Sequence, residues 1–178
     1  NMLKAAIEFG KQLNRKYHKR FTILEGRFGD IETLIKSRGI SSVDGIAFDL
    51  GVSSMQLDTP SRGFSFRTDG PLDMRMSRRG ETAADLINDT SEKELSNIIH
   101  KFGEERQARR IARAIVEYRS AVPIQRTIQL AKIVRGVVSK SKDKIDPATR
   151  TFMALRIYIN DELGELRRGL CAAENLLV

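Results

Sequence analysis

Asp49-Leu50-Gly51-Val52-Ser53-Ser54-Met55-Gln56-Leu57-Asp58, continued by Arg62-Gly63-Phe64-Ser65-Phe66 and Asp69-Gly70-Pro71-Leu72-Asp73-Met74-Arg75-Met76, is the stretch that decides the fold. It follows an apolar run, Val43 to Phe48, short enough to be a buried strand. The pattern therefore predicts a carboxylate, Asp49, where a strand ends and a Gly-Ser loop begins. In open α/β sheets, ligands bind outside the carboxyl ends of the strands, so the same stretch also nominates a site. Twenty-eight residues combining Gly, Ser, Asp and Arg with two Phe are too particular for an ordinary connection.

Upstream, Met2, Ala5, Ala6, Phe9 and Leu13 recur at helical spacing and predict an amphipathic helix over residues 1–14. The polar stretch Asn14 to Arg20 reads as a loop into a short strand, Phe21 to Leu24. Asp30 is placed to cap a helix through Ser37, and Gly39 to end it. Helix, strand, helix, strand with short joints is the pattern of a parallel α/β sheet.

After Asp49 the pattern changes. Residues 58–80 read as loop, punctuated by Pro60, Gly63, Gly70, Pro71 and Gly80. From Ala83 onward the spacing predicts helices. Ser91 and Glu94 form a capping-box pattern for one helix to about His100. Further helices are expected over 104–119 and 127–138, followed by a Lys-rich loop, 139–144. The last helix starts near Pro147. Phe152, Leu155, Ile159, Leu163, Leu166 and Leu170 make one stripe along it, Asn175 is its expected stop, and Leu176 to Val178 would begin another strand. The predicted architecture is an α/β sheet domain, 1–79 with 146–178, interrupted by an all-helical insert, 80–145.

The chain has 178 residues, a hydrophobic share of 40%, an aromatic share of 6% and a formal net charge of +8. That suffices for one aliphatic core, and the charge suits a polyanionic partner. A single cysteine, Cys171, excludes an internal disulfide framework. One Cys with two distant His, His18 and His100, matches no metal spacing. Ser53 and Ser54 have no plausible partner base, which argues against acyl-enzyme chemistry. No run approaches the length of a membrane span.

These motifs closely resemble the ribosomal RNA small subunit methyltransferase H family, also called MraW. The resemblance extends to Glu25-Gly26-Arg27-Phe28-Gly29-Asp30, to Phe102-Gly103-Glu104-Glu105-Arg106, to Arg109-Arg110-Ile111-Ala112-Arg113-Ala114-Ile115, and to Pro147-Ala148-Thr149-Arg150-Thr151-Phe152 with the residues that follow. One departure is Asp146, where the family usually has His before the Pro. The resemblance implies a Rossmann-like fold that uses S-adenosyl-L-methionine to methylate the N4 amine of a cytidine in small-subunit rRNA near the decoding centre. It also implies that the family's glycine loop and ribose-binding acidic residue would precede Asn1, and that a further segment would follow Val178. Implied partners are small-subunit rRNA or a 30S-type subunit, with no membrane; the long apolar stripe would also allow a homodimer. A bacterial cytoplasm is expected, with the mitochondrial matrix as alternative. The competing reading is a non-catalytic RNA- or protein-binding helical module on a sheet remnant.

Asp49 is the expected catalytic residue. The cytosine amine is a poor nucleophile because its lone pair is delocalised into the ring, and a carboxylate accepting its hydrogen bond would localise that pair; Asp accepting from cytosine N4 is an established pairing. The plainer alternative is that Asp49 only caps the following turn; orienting the methyl donor is a third role. The family assigns cofactor contact to the equivalents of Phe28 and Gln56, as well as of Asp49. Gln56 can donate and accept together. Arg106, Arg109, Arg110 and Arg113 recur at helical spacing opposite Ala108, Ile111, Ala112 and Ile115. Segment 101–119 has six Lys/Arg against three Asp/Glu, and segment 132–150 six against two. Such a stripe is usually a solvated face, but two basic segments favour phosphate contact. Ser53, Ser54, Phe64 and Phe66 complete the expected RNA-facing set; the two rings could stack an extruded base or tuck onto the core. Asp73 and Arg75 are expected to pair and fix the loop.

Overall fold

A computed structural model describes residues 2–17, 20–138 and 145–178, with side chains from residue 6 onward. His18 and the expected Lys-rich loop lie outside the described residues. The elements are α1 (Met2–Lys16), a 3-10 turn (Phe28–Asp30), α2 (Ile31–Lys36), α3 (Ser54–Leu57), a 3-10 turn (Pro60–Arg62), α4 (Ala83–Asp89), α5 (Glu92–Gly103), α6 (Ala108–Arg119), α7 (Thr127–Val137), α8 (Ala148–Ile159) and α9 (Glu162–Leu176). They form two compact units, residues 1–50 with 163–178, and residues 51–162.

In the first unit, the turn at Phe28–Asp30 docks on α9. The Gly29 amide donates to Glu165 Oε2 at 3.2 Å, and Arg27 reaches Oε1 of the same carboxylate at 3.4 Å. Phe28 meets Phe48 edge-on at 5.8 Å, and Gly169 lies close to both, since an added Cβ there would fall 3.2 Å from Phe28 Cβ and 3.2 Å from a ring carbon of Phe48. Gly39 ends the turn after α2 at φ +76°, as expected, whereas the Asp30 side chain makes no capping bond.

The expected strands are not ladders. Among the described residues, neither 21–24 nor 43–48 pairs along its length, and the first unit's β pairing is one parallel bridge between Val43 and Leu177. Val43 N donates to Leu176 O at 2.9 Å, and Val178 N donates to Val43 O at 3.3 Å. A strand is stabilised by such cross-strand bonds, and only Val43 finds them here. Nor is the run buried: Ile46 and Phe48 are half-covered, while Phe21, Ile23 and Leu50 are exposed. The described architecture is therefore mostly helical, and the sheet of the expected α/β fold is not seen among the described residues.

The second unit holds the core. Leu95 and Ile99 of α5, Ile111 and Ile115 of α6, Leu130 of α7 and Leu155 of α8 are fully buried. The apolar face expected on α6 is therefore the inward face. Gly103 lets α5 approach α8, since a Cβ there would fall 2.5 Å from Arg150 O. Ser91 caps α5 by accepting from Glu94 N at 3.3 Å. Glu104 adopts a left-handed conformation (φ +51°) and stops α5, so α6 begins at Ala108 rather than at 104.

The compact units divide at 50/51 and 162/163, and the long loop packs with the helical core: Phe64, Leu72 and Met74 are buried with it. Leu72 N donates to Gln125 O, Thr127 N to Gly70 O and Ala84 N to Leu72 O, each within 2.9 Å. Gly63 turns the loop at φ +71°, where a Cβ would strike Pro71 O.

The single last helix is two. Asp161 (φ +47°) separates α8 from α9. The Asn160 side chain holds the break: its Oδ1 accepts Met76 N at 2.7 Å, and its Nδ2 donates to Met74 O and Arg156 O at 2.8 Å each. Arg156 then forks onto Glu162 at 2.6 and 2.9 Å, a pairing six residues apart that an unbroken helix would not allow. The apolar stripe is divided with it: Phe152 and Leu155 are buried, Leu163 and Leu170 more than half exposed.

Candidate functional site

In the first unit, Asp49 is exposed, and no hydrogen bond or ion pair engages its side chain among the described residues. The capping role open to a carboxylate before a turn is not taken up; Gly51 makes the turn itself at φ +99°. Phe28 is 41% exposed. Its ring makes a T-shaped contact with Phe48 and retains open surface. Glu165, which anchors this turn, is held below the ordinary carboxylate range. Burial alone would raise it, but hydrogen bonds from Arg168 and the Gly29 amide and the charges of Arg168 and Arg27 outweigh that. Nothing in the sequence pattern signalled Glu165, because its partner lies 136 positions away.

In the second unit, Ser53 and Gln56 form a reciprocal capping box at the start of α3. Ser53 N donates to Gln56 Oε1 at 2.8 Å, and Gln56 N donates to Ser53 Oγ at 3.3 Å. The Gln56 carboxamide is thus oriented through its oxygen, and its NH2 donates to no group among the described residues. Ser54 is exposed in the first turn.

The two loop rings differ. Phe64 is 7% exposed, beneath Arg62 at 5.5 Å, so its face is not open to a base. Phe66 is half-buried, edge-on to Phe152 at 4.8 Å. Buried Arg62 donates to the carbonyls of Arg75 and Met76; burial, then the charge of Arg78, lowers its pKa. The expected Asp73–Arg75 pair forms, with Arg75 Nε and Nη2 donating to the two carboxylate oxygens at 2.8 and 2.9 Å. Arg75 holds the Asp73 carboxyl below its usual range.

Arg106, Arg109, Arg110 and Arg113 are all exposed, Arg106 in the turn before α6 and the others on its outer face. They are not equivalent. Arg113 is paired with Glu117 at 2.8 Å, and Arg110 donates to the neutral Gln107 amide. Arg106 and Arg109 have no ion-pair partner among the described residues. Asp146, the departure noted above, has structural work: it accepts Ala148 N at 2.9 Å at the start of α8 and pairs with Arg135 at 2.8 Å. Among the described residues no group of three metal-ligating side chains converges, and no helix is long and apolar enough to cross a membrane.

Comparison with known proteins accords with these features. The sequence is 61% identical over 173 residues to the ribosomal RNA small subunit methyltransferase H of Rhodospirillum centenum, an alignment covering 97% of this chain and 53% of that protein. Proteins of the same description from Paramagnetospirillum magneticum and Rhodospirillum rubrum are 60% and 58% identical, over 97% of this chain and 54% and 53% of theirs. The chain thus spans about half the length of the curated relatives it matches. The sequence model of the MraW methylase family matches residues 2–178, and the chain belongs to that family.

Proposed function

We propose that this protein transfers a methyl group from S-adenosyl-L-methionine to the N4 amine of a cytidine in small-subunit rRNA near the decoding centre, free or in a 30S-type subunit, in a bacterial cytoplasm. The observation that carries the reading is the Asp49 carboxylate, exposed and, among the described residues, unengaged at the end of the Val43–Phe48 run. The parallel Val43–Leu177 bridge supports taking that run as part of a Rossmann-like parallel sheet.

Two of the expected cofactor residues carry groups suited to the donor. In the first unit Phe28 offers a partly open ring for a flat purine; in the second, the Gln56 NH2, which donates to no group among the described residues, suits a nucleoside edge. When bound, S-adenosylmethionine supplies an electrophilic methyl on a sulfonium. Asp49 accepts a hydrogen bond from the cytosine amine, concentrates its lone pair on nitrogen and holds the proton lost as the N–C bond forms. The exposed face of α6 meets phosphates, positioning RNA without reading its sequence.

Incubation with small-subunit RNA and label-bearing donor, followed by nuclease digestion, tests this. The expected product is N4-methylcytidine. Label on another base, or on the cytosine ring carbon, would overturn the reading.

A further inference from the structure

One groove of the second unit takes no part in the chemistry above. Its volume is about 550 Å³, and its walls are Phe66 and Arg67 of the loop, Ile128 and Arg135 of α7, and Ile145 and Thr149 at the start of α8. That lies within the ~300–1,000 Å³ usual for small-ligand sites.

Its two cations are in opposite states. Arg135 lies over the Phe66 ring, 5.4 Å from the centroid, and Asp146 holds it there by accepting from Nε at 3.1 Å and Nη2 at 2.8 Å. The guanidinium is charge-compensated and oriented, which makes it a flat stacking surface more than a free cation. Asp146, at the position where the resemblance expects histidine, fixes that surface. Arg67 is exposed, and its side chain has no ion-pair partner among the described residues. Ile145 adds an exposed apolar wall, and Thr149 an exposed hydroxyl that can donate or accept.

A free cation beside a fixed aromatic–guanidinium stack, apolar walls and a hydroxyl match a nucleotide carried on a strand. We propose that this groove is a second RNA contact that holds one unpaired nucleotide, its phosphate on Arg67 and its base against the Phe66–Arg135 stack. The strand is single because base faces are hidden in a duplex. The inference rests on the RNA reading above, but uses a surface separate from the arginine face of α6.

The test is fluorescence anisotropy with a labelled single-stranded oligoribonucleotide, its duplex and cytidine monophosphate. Two variants leave the Arg135–Asp146 pair and the core untouched: Arg67→Gln and Ile145→Glu, the second placing a carboxylate on an exposed wall. Arg67→Gln is expected to flatten the log–log salt dependence of single-strand binding by about 0.7. Ile145→Glu is expected to weaken single-strand binding roughly tenfold at low salt, with melting temperature unchanged. Duplex binding should change little in either variant. Wild-type affinity and salt slope in both variants, with binding still lost on neutralising Arg109 and Arg110, would overturn the groove and leave the RNA reading standing. Absence of RNA binding by the unaltered protein at low salt would overturn both. Cytidine monophosphate binding as tightly as the strand would replace the RNA contact with a mononucleotide site.

Discussion

Ser53 and Gln56 close a capping box on each other: the Ser53 amide donates to Gln56 Oε1 at 2.8 Å, and the Gln56 amide donates to Ser53 Oγ at 3.3 Å. The glutamine expected to touch cofactor is thereby held by one end only. Gln56→Glu keeps the oxygen acceptor and loses the NH2 donors. Its melting temperature should stay unchanged while affinity for S-adenosylmethionine falls. Gln56→Ala loses both functions and should also cost about 0.5–1 kcal/mol of stability. Calorimetric titration and thermal melts read the two effects separately; a Gln56→Glu protein that binds cofactor normally would confine Gln56 to the helix.

Acid should loosen the loop through Asp73. Its folded pKa lies below its ordinary value of 3.8, chiefly through the hydrogen bond from Arg75. A depressed folded pKa contributes stability that is fully present above the unfolded value and lost as pH falls through the folded one. The contribution should therefore be intact above about pH 4 and drain away below it. Asp73→Asn should lower stability near neutrality and lessen its fall on acidification, followed by urea melts across that range.

Met74 is fully buried at φ +61°, in a segment that pattern alone makes a plain loop. Met74→Ala should cost roughly 2–4 kcal/mol and lower the melting of the whole helical unit in one transition. A separate early transition, with the helices unaffected, would mean that the loop is only draped on the core.

On α6 the arginines should differ in effect. Arg109→Gln should lower the salt slope of RNA binding by about 0.7–0.9. Arg113→Gln should do less, since Glu117 already compensates that charge. Equal effects would show that the Arg113–Glu117 pair opens on RNA.

Most of the helical unit was legible because its apolar residues recur at helical spacing: the Ile111–Ile115 face is buried as read, and Ser91 caps where read. What escaped reading depends on distant partners. The break at Asp161 requires the Asn160 side chain to meet Met74 and Met76, 86 and 84 positions away. A stripe that continues across residues 160–161 hides such a break. The burial of Phe64, Leu72 and Met74 was likewise invisible, because an irregular loop has no period to betray its inward face. The Val43–Phe48 run illustrates the converse: an apolar run predicts a strand, but its partners decide whether a ladder forms. Of the candidate site, Asp49 is proposed from its place at the run's end, whereas Glu165 and Arg62, which fix the neighbouring turns, had no local signal.

The most direct test is single-turnover methylation by Asp49→Asn, with cofactor affinity and melting temperature measured on the same protein. The substitution keeps shape and one acceptor oxygen and removes the charge. If Asp49 accepts the cytosine amine's hydrogen bond as the methyl transfers, the rate should fall on the order of a hundredfold, about 2–4 kcal/mol. Melting temperature should be unchanged, since among the described residues the carboxylate supports no other group, and cofactor affinity should fall much less than the rate. A rate near that of the unaltered protein, or a loss of rate matched by an equal loss of cofactor affinity, would contradict the assignment.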